Sequence, residues 1–316
     1  MTIAIILPAF NEEQTVASTI NEFHMALPKA SIWVINNGST DKTLQIAKAT
    51  LKSKKILGGI LDEPLKGKGN AIRKAFLEID ASVYIISDAD STYSADDINK
   101  FLSPIKNNEA DIVVGNRHAG NAYKKTNYRP FHSIGNRFVC FLVNQLFNAK
   151  LHDIMSGFRV MSKKFVKNYP ILVGGFEIET DMTLYALDRR FRILEFPIQY
   201  RDRPKGSFSK LNTFQDGARV ILTIIKILKN YRPFMFFGIF ALVFFIGGIL
   251  IAIPVLRDWY LYKYIYHLPL AILATGIELL SLLMLSIALI LDSIVTQDKR
   301  NFEYNYLRQT AENIKK

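Results

Sequence analysis

Sulfur and negative charge are both scarce in this chain. Cys140 is the only cysteine among 316 residues, so an internal disulfide is excluded, as expected of a cytosolic catalytic domain. Asp and Glu total 28 against 40 Lys and Arg, a formal net charge of +12. That excess alone would suit nucleic acid or an anionic membrane surface. The N-terminus has no basic region ahead of its apolar residues and meets Pro8 and Asn11-Glu12-Glu13 almost at once. It reads as a strand rather than a signal peptide. Charge is most nearly absent near the C-terminal end: Phe234 to Leu256 has no charged residue, and Leu268 to Leu291 has only Glu278. At about 1.5 Å rise per residue either run is long enough for a bilayer core of roughly 30 Å. Two membrane spans are therefore expected, and they make a membrane surface the better partner for the basic excess, with no nucleic acid. The connector between them carries only Arg257 and Lys263 as Lys or Arg, whereas the flanking segments are rich in both. The positive-inside rule then puts both large segments in the cytoplasm.

What is present before residue 230 is a repeat of strand, polar loop and helix. Ile3-Ala4-Ile5-Ile6-Leu7 leads through Pro8-Ala9-Phe10-Asn11-Glu12-Glu13 to helical spacing over Thr15 to Leu27. Ser31 to Ile35 leads through Asn36-Asn37-Gly38-Ser39-Thr40-Asp41 to a helix over Lys42 to Leu51. Such alternation argues a parallel sheet in an α/β fold, whose ligands sit beyond the carboxyl ends of the strands. Leu65-Lys66-Gly67-Lys68-Gly69-Asn70-Ala71 opens a third helix, and its glycines let backbone approach a ligand closely while Lys68 can meet a phosphate. The buried-strand pattern Val83-Tyr84-Ile85-Ile86 ends in Ser87-Asp88-Ala89-Asp90. Residues i and i+2 share a side of extended chain, so Asp88 and Asp90 lean the same way, and two hard carboxylates suit Mg²⁺ or Mn²⁺ with phosphate completing the shell. On spacing alone, the same residues also suit a turn that caps the next helix.

Taken in order, the Pro8 to Glu13 loop, the Asn-Asn-Gly-Ser-Thr-Asp loop, Gly-Lys-Gly-Asn-Ala and Asp-Ala-Asp resemble the family 2 glycosyltransferases with a GT-A fold, over about the first 230 residues. The resemblance implies a Rossmann-like mixed sheet and a nucleotide-sugar donor. It gives Pro8, Ala9, Asn11, Glu12 and Asn37 to the nucleoside, with Lys68, Asp88, Ala89 and Asp90 at the diphosphate. Asp88, Asp90 and Thr92 become the expected holders of Mg²⁺ or Mn²⁺. The second loop usually carries two Asp, and Asn36-Asn37 stand there instead, which opens the identity of the base. His152 to Arg159, Gly175 to Asp181 and Glu195 to Leu211 resemble the subgroup that loads sugars onto polyprenyl phosphates, the dolichyl-phosphate mannose and glucose synthases and their undecaprenyl-phosphate relatives. That likeness makes Arg203 a donor-phosphate and catalytic residue alongside Asp90 and Arg117, under a lid with Ser207, Ser209 and Lys210.

Beyond strand Ile112 to Val114, Arg117 and the basic loop that includes Lys124, Lys125, Arg129 and His132 run into Ser133 and a helix over Ile134 to Asn148. Its apolar residues Ile134, Phe138, Phe141, Leu142 and Leu146 oppose Arg137, Asn144 and Asn148, as in a helix lying on a membrane. Arg117, Arg129, His132 and Ser133 are the expected cradle of a lipid phosphate. Asn212 to Asn230 reads as a second surface-lying helix. Glu179 and Asp181 are read either as a general base or as acidic residues favoured by the start of a helix. Glu278, an intramembrane carboxylate, is read either as a functional group or as a protonated side chain bonded to a neighbouring helix.

The expected organisation is a cytoplasmic GT-A domain over 1–210, a juxtamembrane amphipathic helix over 211–232, spans at about 234–256 and 268–291 within 233–292, and a cytoplasmic tail over 293–316. The expected partners are a nucleotide sugar, a polyprenyl phosphate and the bilayer, with self-association through the spans. Transfer to a polysaccharide is a weaker alternative, because the chain has no Gln-x-x-Arg-Trp of the processive synthases. A non-catalytic membrane adaptor with the same fold is the other alternative.

Overall fold

The computed structural model describes residues 1–119, 130–175, 177–201, 222 and 224–314, with backbone alone for 130–136 and 309–314. The chain divides into two compact units, Met1–Gly217 and Ala218–Lys316.

In the first unit the alternation read from the sequence appears as β1 (Ile3–Ala9), α1 (Val16–Ala26), β2 (Ser31–Asn36), α2 (Thr43–Ser53), β3 (Gly58–Asp62), α3 (Lys68–Glu78) and β4 (Val83–Ile86). Then follow α4 (Ile98–Lys106), β5 (Ile112–Asn116), α5 (Pro130–Phe147), β6 (Arg159–Ser162), α6 (Lys163–Asn168), α7 (Ile178–Asp188) and β7 (Ile193–Pro197). The strands form one sheet in the order β3-β2-β1-β4-β6-β5-β7. Pairing is parallel except for β6, which runs antiparallel to both β4 and β5. The sheet is therefore mixed. Strands β1 and β4 read as continuous apolar runs because both faces are covered; Val83 to Ile86 are all buried. On one face Ile5, Leu7, Phe23, Val34, Ile85, Phe101 and Phe158 belong to a single core cluster.

Helix α5 covers most of the amphipathic stretch read as Ile134 to Asn148. Among its residues with described side chains, Val139, Cys140 and Val143 are buried, whereas Phe138 and Phe141 are exposed. Asn144, on the polar line, closes the following turn, donating to Leu151 O and accepting from Leu151 N at 2.8 and 2.9 Å. The domain side of this helix is therefore set by small and β-branched residues, and two phenylalanines remain outward.

The second unit contains a short helical stretch over 224–231, then α8 (Pro233–Tyr262) and α9 (Leu268–Ile314). Both α8 and α9 contain stretches long and apolar enough to cross a membrane. Small or β-branched residues spaced seven apart are buried along each, Ala241, Gly248 and Val255 on α8 and Ala274, Ser281 and Ala288 on α9. That period keeps one seam of each helix on the other, and small side chains let the helices approach closely. Ser281 Oγ donates to Ala241 O across the seam at 2.9 Å. Glu278 lies over Gly248, where an added Cβ would overlap its Oε1; that oxygen is buried with no hydrogen-bond partner among the described residues. At the connector, Asp258 Oδ2 accepts from the backbone of Tyr266 and His267 and lies 2.6 Å from His267 Nδ1. Past the apolar run α9 stays helical to Ile314, so most of residues 293–316 continue the second candidate span as helix.

Candidate active site

The polar loops at the carboxyl ends of β1, β2 and β4 interlock. The first two are tied by Asn11, whose Oδ1 accepts from Thr40 N at 2.8 Å and whose backbone N donates to Ser39 Oγ at 3.1 Å. Glu12 N donates to Thr43 Oγ1 at 2.7 Å, and Lys42 N donates to Glu13 Oε2 at 3.0 Å. Pro8 and Ala9 form the end of β1 beneath this junction. Asn11 is held at φ 55, a left-handed conformation that Asn tolerates better than most residues. Much of this polar sequence therefore joins loop to loop.

Asn37 has a defined task in that junction. Its Nδ2 donates to Leu65 O at 2.7 Å and Glu63 O at 3.2 Å, and its Oδ1 accepts from Gly67 N at 2.6 Å. Both amide hydrogens face carbonyl oxygens, a role that a carboxylate cannot fill. Asn36 is tied similarly, donating to Asp62 Oδ1 at 2.8 Å. The Asn pair therefore clamps the segment leading into α3, and Asn37 retains only acceptor capacity toward a base.

The turn into α3 explains its two glycines. An added Cβ on Gly67 would overlap the carbonyl oxygen of Gly174, and one on Gly69 that of Val173. Gly67 is also at φ 126. Gly69 N donates to Gly174 O at 3.0 Å, so the turn lies directly on the chain before α7. Lys68 is consequently carried into the interior. Its ammonium is paired with Asp88 Oδ1 and lies 2.5 Å from Glu179 Oε1, with only 7% of its side chain exposed. Burial alone would push its pKa down, but the two carboxylates hold it well above the usual lysine value. Lys68 was expected at a phosphate; here it joins β4 to α7. Glu179 was read as a base or a helix-start acid, and its partner Lys68 was not legible in sequence.

Asp88 is 30% exposed at its side chain. A Cβ on Gly157 would lie 2.7 Å from Asp88 Oδ2 and 2.9 Å from Lys68 Nζ, so this glycine leaves room beside the carboxylate. Asp90 is buried, and its Oδ1 accepts from Thr92 N at 3.1 Å and Thr92 Oγ1 at 2.6 Å. Thr92 thus orients Asp90. Two hard carboxylates with space kept by a glycine fit Mg²⁺ or Mn²⁺. Among the described residues there is no group of three or more His, Cys, Asp or Glu that could hold a metal by itself.

Arg117, just past β5, is fixed by Asp153. Its Nε and Nη2 donate to the two carboxylate oxygens at 2.7 and 2.8 Å, and its backbone N donates to Oδ2 at 3.1 Å. Burial would raise the Asp153 pKa, yet Arg117 and its hydrogen bonds hold it below the usual carboxylate range. The loop bearing Asp153 is held in turn by Glu195, which accepts from the backbone of His152 and Asp153. Tyr93 stands between the two ends of the site: its hydroxyl accepts from Gly157 N at 2.9 Å, and its ring packs on Tyr200, itself under Arg117. His132 and Ser133 are in the first turn of α5, where backbone alone is described. Arg129, Arg203, Ser207, Ser209 and Lys210 lie outside the described residues.

The family description Glycosyl transferase family 2 matches residues 4–169, more than half of the chain and all the strand-end loops just described. The chain belongs to that family. It is a glycosyltransferase, with the mixed sheet of the GT-A fold and two apolar C-terminal helices as candidate membrane spans. Its relatives include glycosyltransferase AglJ of Haloferax volcanii, 28% identical over 93% of this chain and 94% of the relative. A dolichyl-phosphate hexose transferase of the same organism is 27% identical over 73% of this chain and 95% of the relative. Among solved structures, the glucosyl-3-phosphoglycerate synthase of Mycobacterium tuberculosis in complex with Mn²⁺ and UDP-glucose aligns with a TM-score of 0.52 at 18% identity. The alignment covers 72% of this chain and 78% of that one, and it supports the fold.

Proposed function

We propose that this glycosyltransferase moves a hexose from a nucleotide sugar, UDP being the favoured carrier, to a polyprenyl phosphate at the cytoplasmic face of a membrane. The observation that carries the reading is the strand-end arrangement in which Asp88, braced by buried Lys68, stands beside a space kept open by Gly157. A relative named as a dolichyl-phosphate hexose transferase, aligned over most of its length, and the two apolar helices support the lipid side of the reading.

The chemistry fits the side chains. A phosphate monoester has its second pKa at about 6, so the acceptor is already an anionic nucleophile at neutral pH and needs no strong base. The two acidic residues most open to a base role are otherwise engaged: Glu179 with Lys68, and Asp181 with Tyr169, whose hydroxyl donates to it at 2.6 Å. What the protein must supply is positive charge between two anions. Asp88 and Asp90, the latter oriented by Thr92, would hold a divalent cation that neutralises the donor diphosphate as it leaves. Arg117, kept in place by Asp153, would meet the acceptor phosphate with Arg129, His132 and Ser133. Arg203 would close over the donor with Ser207, Ser209 and Lys210, excluding the water that would hydrolyse it. A direct displacement inverts the anomeric carbon: the acceptor oxygen bonds to it as the bond to the nucleotide oxygen breaks.

The test uses membranes containing the full chain, a panel of nucleotide sugars and a short-chain polyprenyl phosphate, read by the mass of the lipid product and by nucleotide release. Product is expected with one donor and a divalent cation, and none from Asp90→Ala or Arg203→Ala. Nucleotide release that ignores the lipid phosphate, or undiminished product from Asp90→Ala, would overturn the proposal.

A further inference from the structure

Arg159 is among the largest fully buried side chains of the protein. It sits in β6 between Ile86 of β4 and Val114 of β5, where sheet packing favours an apolar residue. Burying a guanidinium there costs free energy unless it is compensated. Its Nε donates to Ser156 O at 3.0 Å and its Nη2 to Ile154 O at 2.8 Å, while Nη1 has no partner among the described residues. Arg159 thus holds the middle of the turn 153–157 from below.

The ends of that turn reach different parts of the site. Asp153 fixes Arg117 on the proposed acceptor side. Gly157 lies against Asp88 and Lys68 on the donor side and donates to Tyr93. Burial pushes the Arg159 pKa down, and the carboxylates pulling the other way are Glu179 first and Asp153 second. Glu179 also pairs with Lys68, which pairs with Asp88. Paired charges therefore flank the turn, Asp88, Lys68 and Glu179 on the donor side and Asp153 and Arg117 on the acceptor side, with Arg159 bonded to the turn between them. Lys68, Glu179, Arg159 and Asp153 are buried and therefore poorly screened.

We propose that Arg159 is a positioning residue that couples the donor and acceptor halves of the site through the turn 153–157. It touches neither ligand. Donor binding at Asp88 shifts that carboxylate and Lys68 against Gly157, and Arg159, bonded to Ser156 and Ile154, carries the shift along the turn to Asp153, which sets Arg117. The inference rests on the two-substrate reading above.

The test measures binding of UDP with Mn²⁺, and of farnesyl phosphate, to the full chain in detergent by calorimetry, each with and without saturating amounts of the other. In the unaltered chain each ligand is expected to change the affinity of the other by about fivefold or more, by the same factor in both directions. In Arg159→Met that factor is expected to fall below about twofold. A merely structural role would lower thermal stability and leave the coupling factor intact, and that result overturns the proposal. If Arg159→Met does not fold, Glu179→Gln decides. It is expected to weaken farnesyl phosphate binding although it lies on the donor side, and unchanged affinity overturns the proposal. An unaltered chain that binds both ligands independently overturns this inference alone; one that binds neither overturns the two-substrate reading.

Discussion

Replacing Lys68 with Met isolates what the buried ammonium does. Methionine keeps the apolar length of the stem but leaves Asp88 and Glu179 without their shared cation. Glu179 has 7% of its side chain exposed and Asp88 30%, so water can partly rescue only the second. Removing one partner of a buried ion pair costs about 3–5 kcal/mol, and the accessible Asp88 places this case near about 3 kcal/mol. For a unit of roughly 200 residues, that corresponds to a fall in Tm of about 6–12 °C. The pH dependence has a defined sign. In the native protein the Lys68 pKa is raised above its unfolded value, so its contribution is complete below about pH 10 and is lost only as pH rises through the folded value. Differential scanning fluorimetry on the detergent-solubilised chain reads the fall in Tm. A Tm within about 2 °C of the native value at neutral pH would refute the reasoning.

Asn37→Asp should lower UDP affinity by about tenfold in a calorimetric titration, because a carboxylate beside Leu65 O and Glu63 O loses two donor bonds and repels both carbonyls. Asp153→Asn should weaken farnesyl phosphate binding by about 2 kcal/mol, since Arg117 loses its charged anchor. The folded Asp153 pKa is depressed, so its contribution is present above the unfolded value of about 3.9 and is lost as pH falls through the folded value. Native farnesyl phosphate affinity should accordingly show no loss from Asp153 titration above about pH 4. Gly248→Leu should reduce the folded, membrane-extracted yield severalfold because the new side chain meets Glu278; neighbouring Gly247→Leu, with nothing within 4 Å of an added Cβ, should behave as native.

Several elements were legible in the sequence because local chemistry decides them. The buried run Val83 to Ile86 is β4 with the same limits, and the strand-loop-helix rhythm gave the parallel course of β1, β2 and β4 and the edge at which their polar loops gather. Helix α4 and strand β3 escaped the reading; β3 is a short edge strand containing Gly58 and Gly59, whose pattern is weak. The antiparallel course of β6 was equally hidden, since strand direction is set by pairing partners far away in sequence.

By itself the sequence determined which residues carry charge, which runs are apolar enough to cross a membrane, and which motifs point to a sugar nucleotide. Those are properties of residue type and spacing. Tertiary structure decided what each charge faces: Lys68 meets Asp88 and Glu179, Asn37 clamps a loop, Arg117 is held by Asp153, and Arg159 lies beneath the turn that joins them. The physical reason is that a buried polar group takes its role from the partners that satisfy it, and here those partners come from strands and helices up to about a hundred residues apart.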